Sequence, residues 1–253
     1  MEKTKKILYG VLPVLALSFV LMMWVLLCNQ KPDIIPTPIA VLKRLGDIMI
    51  HPISKAILPV HIAVSLGRVL SAFMIASVLG ISFGILLGWY RVFHDIMWPV
   101  FEIIRPIPPI AWIPLVVLWC GIGEVSKILI VFIGAVVPIV LNTYTGIKQV
   151  DPMMLKAAKS VGANNIATMF EVVLPASLPS IVAGMKTALS TGWMCVLAAE
   201  MVVAKQGVGF LIVRGMDSGD SALIIAGMLV IGIVSALITL ILDRLEGKLC
   251  PWR

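Results

Sequence analysis

Apolar and polar residues do not alternate along this chain; they segregate into long blocks. Charge-free stretches of about twenty residues are separated by short connections that hold most of the Lys, Arg, Asp and Glu. A helix needs roughly 20 apolar residues to cross about 30 Å of hydrocarbon. On that measure the pattern predicts six spans, 7–28, 58–90, 97–123, 128–147, 180–204 and 221–242, within one transmembrane domain covering 1–253. The first follows Lys3, Lys5 and Lys6 and resembles a secretory signal. It is too long for one and lacks a small-residue cleavage site. The third span is interrupted by Pro99, Pro106, Pro108, Pro109 and Pro114, and the fifth contains Lys186 and Glu200. No internal repeat or low-complexity tract is visible. The expected fold class is an all-α polytopic membrane protein.

Composition supports the bilayer as solvent. Hydrophobic residues make up 60% and charged residues 13%, with a mean hydropathy of +1.07. A soluble domain carries about 25% charged residues, and one of this size leaves roughly a third of its chain surface wet. Net charge is +7, yet no basic stripe interleaved with aromatics marks a nucleic-acid partner. The bases instead read as topogenic charges of short loops. One side of the predicted topology holds ten, Lys3, Lys5, Lys6, Arg91, Lys148, Lys156, Lys159, Arg244, Lys248 and Arg253. The other holds seven, Lys31, Lys43, Arg44, Lys55, Lys127, Lys205 and Arg214. The bias puts both termini in the cytoplasm. The four cysteines form no CxxC pair, and the three histidines lack metal-ligand spacing, so no metal site is expected.

The connections have structure of their own. In the external segment 29–57, Thr37-Pro38 reads as an N-cap with proline at the first helical position. Val41, Leu42, Leu45, Ile48 and Met49 then share a face, as suits a short interfacial helix or a docking surface for an external partner. Gly80, Gly84 and Gly88 recur every four residues in the second span, a spacing that lets another helix approach closely. The cytoplasmic loop 148–179 carries a second cap, Asp151-Pro152, and a helix through Val161 that Gly162 ends. Asn164 and Asn165 can cap a second short helix, expected to end near Leu174-Pro175. Ala157 and Ala158 are expected to leave a small-residue surface on this knob.

Ala157, Ala158, Gly162, Val172 and Leu174-Pro175 are spaced as in EAA-x3-G-x9-I-x-LP. That pattern resembles the cytoplasmic coupling loop of permease subunits of bacterial ABC importers, with Lys156 in place of the Glu and Val172 in place of the Ile. IPTP from Ile35, IRPIPPIAWIPL from Ile104, LWCGIG ending at Gly123 and GWMCVLAAEM from Gly192 are similar to the nitrate, sulfonate and taurine branch. The resemblance covers nearly the whole chain. It implies a type I importer permease of the bacterial cell membrane that is not an enzyme and lines the path of a small oxyanion. It also implies coupling through Lys156, Ala157, Ala158, Gly162, Leu174 and Pro175 to two ATPase subunits, which bind ATP and Mg. A second permease copy and an external substrate-binding protein complete the assembly. This chain itself lacks a G-x-x-x-x-G-K-[ST] loop, so no cofactor is expected on it.

Ionisable groups inside spans are costly and need partners. The span directions place Glu102, Arg105 and Lys186 in the cytoplasmic half, and Arg68 and Glu200 near the external side. Two sets follow: Glu102 with Arg105 or Lys186, and Arg68 with Glu200. They are either structural pairs or lining groups of the path, whose three cations against two carboxylates suit an anion. Pro108 and Pro109, with Pro106 and Pro114, remove backbone donors. Irregular backbone at this depth survives only against protein or a water-filled cavity, so the third span is expected to face the interior. Three readings compete with a permease for oxyanions: the same permease carrying a pyrimidine or riboflavin-like vitamin precursor, a secondary transporter driven by an ion gradient, and a scaffold recruiting a cytoplasmic partner.

Overall fold

The computed structural model describes residues 2–30 and 34–249. Lys31, Arg253 and Cys250 lie outside the described residues, as do the side chains of Lys3, Lys5, Lys6 and Lys248. Eleven α-helices are described: α1 Glu2–Gln30, α2 Pro38–Ile50, α3 Leu58–Trp89, α4 Arg91–Ile104, α5 Ile113–Cys120, α6 Glu124–Lys148, α7 Pro152–Ser160, α8 Asn165–Ala167, α9 Leu174–Val203, α10 Val208–Asp217 and α11 Ser221–Leu249.

By length and composition, four helical rods are apolar enough to cross a membrane: α3, α6, the run Asn165–Val203 and Ser221–Arg244. The expected third span is a broken one. Helix α4 and the stretch Pro109–Cys120 meet at 86°, a bend that fits one broken span or a re-entrant loop. The regions of the six expected spans hold four long helical runs, one bent pair and α1, whose apolar stretch in the described residues is Ser18–Gln30. Pro106, Pro108 and Pro109 explain the bend, because three missing donors within four residues cannot sustain an α-helical ladder.

The core is α3, α6 and α9, with α10 and α11 closing one side. Glycine governs how closely these rods approach. A Cβ on Gly80, Gly84 or Gly88 would sit 2.9 Å from Ile139 Cγ2, 2.6 Å from Thr143 Cβ and 2.8 Å from Ile147 Cβ. The four-residue repeat of α3 thus meets a four-residue repeat of α6. The sequence gave no warning that α6 and α9 meet the same way. A Cβ on Gly134 would lie 2.4 Å from Cys195 Sγ, and one on Gly184 would lie 2.6 Å from Asn142 Cβ. Interior side chains include Leu87, Ile130, Ile139, Trp193, Val196 and Leu211, all nearly inaccessible.

Helix α2 begins at Thr37, whose Oγ1 accepts from the Ala40 N–H at 3.2 Å. Of its expected apolar face, Val41 and Ile48 are buried and Leu45 packs on the core, whereas Leu42 and Met49 stay exposed. Arg44 Nε donates to Asp220 at 2.8 Å and also pairs with Asp47, tying α2 to the turn before α11.

Candidate functional site

Three regions bring together the chemistry-bearing residues. The first is the knob after α6. Asp151 accepts from the Met153 N–H at 2.8 Å and starts α7. Gly162, at φ +81°, ends it in a left-handed turn. The Gly162 N–H donates to Lys159 O at 3.0 Å and the Ala163 N–H to Ala158 O at 3.1 Å, which satisfies two of the last carbonyls of the helix. Asn164 Oδ1 then accepts from the Ala167 N–H at 2.7 Å. Lys156 and Ala157 are exposed, but Ala158 is buried inside the knob, so the expected Ala157–Ala158 surface is only half available. The exposed apolar groups are Met153, Val161, Ile166 and Phe170.

The second short helix does not end at Leu174-Pro175. A π-helical turn, Thr168–Val173, carries it into α9, with the Leu174 N–H donating to Met169 O five residues back. The wider turn makes room for the Pro175 ring, which would clash with the carbonyl four residues earlier in a regular helix.

The second region joins α3, α6 and α9. Arg68 donates from Nε and Nη2 to the two carboxylate oxygens of Glu124 at 2.6 and 2.7 Å. Its Nη1 donates to Glu200 Oε1 at 2.6 Å and to Gln206 O at 2.8 Å. Both Arg68 and Glu200 are buried. Glu200 also accepts from Ser65 Oγ at 2.7 Å and from the Gly209 N–H at 3.0 Å. Ser65 Oγ in turn accepts from the Val208 N–H at 3.0 Å. His61 Nδ1 accepts from the Gly207 N–H at 3.0 Å, which assigns the ring proton to Nε2, 3.2 Å from Ile53 O. Gly207, at φ +127°, has no room for a Cβ, which would fall 2.3 Å from the Glu200 carboxyl. Lys127 donates to Glu124 at 2.7 Å.

Of this set only Arg68 and Glu200 were singled out from sequence. Glu124 follows the Gly121–Gly123 turn and carries no sequence signal of its own. His61, Ser65 and Arg68 lie one and two turns apart on α3, a polar stripe on an apolar helix that could have been found. A cleft of about 720 Å³ opens beside the set, with Lys55, Lys127, Lys205 and Glu124 among its lining groups.

The third region is the proline break. Glu102 and Arg105 pair at 3.2 Å, both about one-third exposed. Lys186 does not join them. It donates to Asp243 at 2.5 Å and to Glu246 at 2.7 Å, on the last turns of α11. Arg105 was expected in the cytoplasmic half of the proline-interrupted third span. The bend sets it on a cavity of about 330 Å³ with Pro109, Trp112, Gly134, Pro138 and Thr191, the last three from the middles of α6 and α9. A neighbouring cavity of about 280 Å³ continues past Pro109 and Thr191 to Met194 and Ala198. The Trp112 Nε1–H is buried with no acceptor in the described residues. An orphaned buried donor of this kind costs about 1–3 kcal/mol. Pro108 caps the short 3₁₀ turn Pro109–Trp112. The break was expected to face the interior. One side does, through Ile113 and Val116, while Ile110, Leu118 and Trp119 are exposed on the single chain. Among the described residues, no three His, Cys, Asp or Glu side chains gather as a metal-binding group.

The family profile described as "Binding-protein-dependent transport system inner membrane component" matches residues 76–252, from the Gly80 helix through the knob and the last span. The chain belongs to this family. A putative ABC transporter permease protein of Methanocaldococcus jannaschii is 38% identical over 229 residues, covering 88% of this chain and 84% of that protein. The taurine transport system permease protein TauC of Escherichia coli is 35% identical, covering 88% and 81%. The nitrate import permease protein NrtB of Synechocystis is 31% identical, covering 94% and 89%. In fold the permease is similar to a chain of the MetNI methionine ABC transporter in an inward facing conformation. That match has a TM-score of 0.68 at 21% identity, over 76% of this chain and 95% of that one. The protein is thus a membrane-spanning permease subunit of an ABC importer, a transport subunit and not an enzyme. Membership implies an ATPase and a substrate-binding protein as partners and the inner membrane as its place.

Proposed function

We propose that the permease moves a small oxyanion, of the nitrate, sulfonate or taurine kind, along the α6–α9 surface at the proline break. Two ATPase subunits, each holding ATP and Mg, act on it through the knob formed by α7 and Gly162. Two copies of the chain enclose the path, and both termini face the cytoplasm of a bacterial cell. An external binding protein delivers the solute. The observation that carries this reading is the knob itself: a capped helix, a left-handed Gly162 and exposed Met153, Val161, Ile166 and Phe170 in a chain of this family. Lys156 and Ala157 flank that surface, and Leu174-Pro175 join it to α9. The names of relatives that import taurine, nitrate and, in Bacillus subtilis, aliphatic sulfonates support the solute class. Exposed Ile110, Leu118 and Trp119 beside the break supply an apolar face for a second copy.

The test is Gly162→Arg in the reconstituted transporter. A residue with a Cβ at positive φ costs roughly 1–2 kcal/mol, and the spans are untouched. Membrane abundance should therefore persist while ATPase co-purification and ATP-driven uptake are lost. Undiminished uptake would sink the coupling role. Orientation is tested separately: a membrane-impermeant thiol reagent on sealed cells should label Asp47→Cys and leave Asn164→Cys untouched.

A further inference from the structure

The cavity at the proline break sets one charged side chain in an otherwise largely apolar wall. Its walls are prolines and aliphatic side chains, and Arg105 is the one charged group lining it. A guanidinium offers five N–H donors, and the protein uses Arg105 lightly, through a single 3.2 Å contact with Glu102, itself about one-third exposed. Trp112 lines the same cavity and holds a buried indole N–H with no protein acceptor. Thr191 Oγ1 donates to Thr187 O at 2.9 Å, which leaves its lone pairs open. Buried donors without acceptors are rare in folded proteins and call for an explanation. Arg68, by contrast, has four of its donors engaged within 2.8 Å.

We propose that this cavity is the solute subsite of the path and that it takes a small organic anion, an oxyanion head on Arg105 and Trp112 with a short apolar body against Pro109 and Pro138. The proposal rests on the permease reading and narrows it. A volume of about 330 Å³ lies at the lower end of small-molecule sites, too small for a flavin-sized vitamin. An all-polar ion such as nitrate would leave the apolar wall without a partner, whereas an alkanesulfonate or aminosulfonate uses both halves. Gly134 closes one wall tightly: Cys195 and Pro109 occupy the place its Cβ would take. Passage continues into the adjoining cavity past Thr191 toward Met194 and Ala198.

The test places one thiol in the site, Thr191→Cys, in a full-length chain whose Cys28, Cys120, Cys195 and Cys250 are replaced by alanine. The chain is reconstituted in liposomes with its ATPase and substrate-binding partners. A small methanethiosulfonate reagent is applied with 1-butanesulfonate, nitrate or neutral butanamide at equal concentration. Butanesulfonate should slow labelling, and Arg105→Gln should abolish that protection. No protection, or equal protection by butanamide, overturns the anion site. Equal protection by nitrate overturns the organic body. Uptake provides a second readout without an engineered cysteine. Arg105→Gln should lower butanesulfonate uptake by about tenfold or more, the effect of losing a charge-assisted contact, and Trp112→Phe by less, at unchanged membrane abundance. Undiminished uptake in both overturns the subsite. ATP-driven uptake by the unaltered transporter without protection sinks the subsite alone, and protection without ATP-driven uptake sinks the permease reading.

Discussion

The Arg68 cluster and the proline break each hold an arginine within the membrane-spanning helices, and they treat it in opposite ways. Arg68 is buried, bidentate to Glu124, bonded to Glu200, and sealed by the Gln206–Gly209 backbone. Arg105 is one-third exposed and has one 3.2 Å partner beside an open cavity. The difference teaches where each residue's free energy goes. A charge that has lost its water must be matched within the protein, so a saturated cluster reports stability and rigidity. A charge left partly unmatched next to a buried orphan donor is free to meet something else.

That contrast sets the order of expected effects. The largest belongs to Arg68→Ala, which leaves Glu200 as an unpaired buried carboxylate. Removing one partner of such a pair costs about 3–5 kcal/mol, so the variant should melt far below the native protein in detergent or fail to accumulate. Arg68→Met combined with Glu200→Gln should recover part of that loss. If Arg68→Ala melts normally, the cluster is not the structural fixture its geometry describes. Next comes Gly84→Val, where even a Cβ would fall 2.6 Å from Thr143 Cβ and 2.9 Å from Val140 O. Overpacking against backbone costs about 1–3 kcal/mol, measurable as a lower melting midpoint. An unchanged midpoint would show that α3 and α6 can separate freely. The smallest effect on stability belongs to Arg105→Gln. Pairs this exposed are worth about 0–1 kcal/mol, so its melting curve should overlay the native one while uptake falls. Equal destabilisation by Arg105→Gln and Arg68→Ala would erase the distinction between the two sites.

What could be read beforehand follows the same physics. Apolar runs report burial in lipid, so the long rods, the Gly80-Gly84-Gly88 contact stripe and the caps at Thr37, Asp151 and Gly162 were legible. Runs do not report where a helix stops once it leaves the hydrocarbon. The span ending at residue 242 hid the fact that α11 runs on to Leu249, carrying Asp243 and Glu246 to Lys186. Prolines announced that the third span was irregular, but no local rule gives an 86° turn or says that it brings Arg105 to mid-α6. Proline also misled: Leu174-Pro175 read as a terminus because the π turn that absorbs it has no sequence signature. Lys127 reads only as a charge of an external connection, and nothing nearby in the sequence marks Glu124 as an ion-pair partner. The arginine that binds Glu124, Arg68, lies 56 residues away in the chain, and only packing brings the two together.

That π turn has a mechanical consequence. Because the chain does not break at Pro175, residues Asn165–Val203 form one 39-residue rod, about 58 Å long at 1.5 Å per residue. One end is rooted in the knob, Thr191 lies along its flank, and Glu200 is fixed near the far end. A push on the knob therefore need not be relayed from contact to contact. A force on the knob would swing the rod about the Arg68–Glu200 cluster, with the cavity at the proline break part-way along its arm. The widened turn at Thr168–Val173 is then the joint at which the handle meets the shaft.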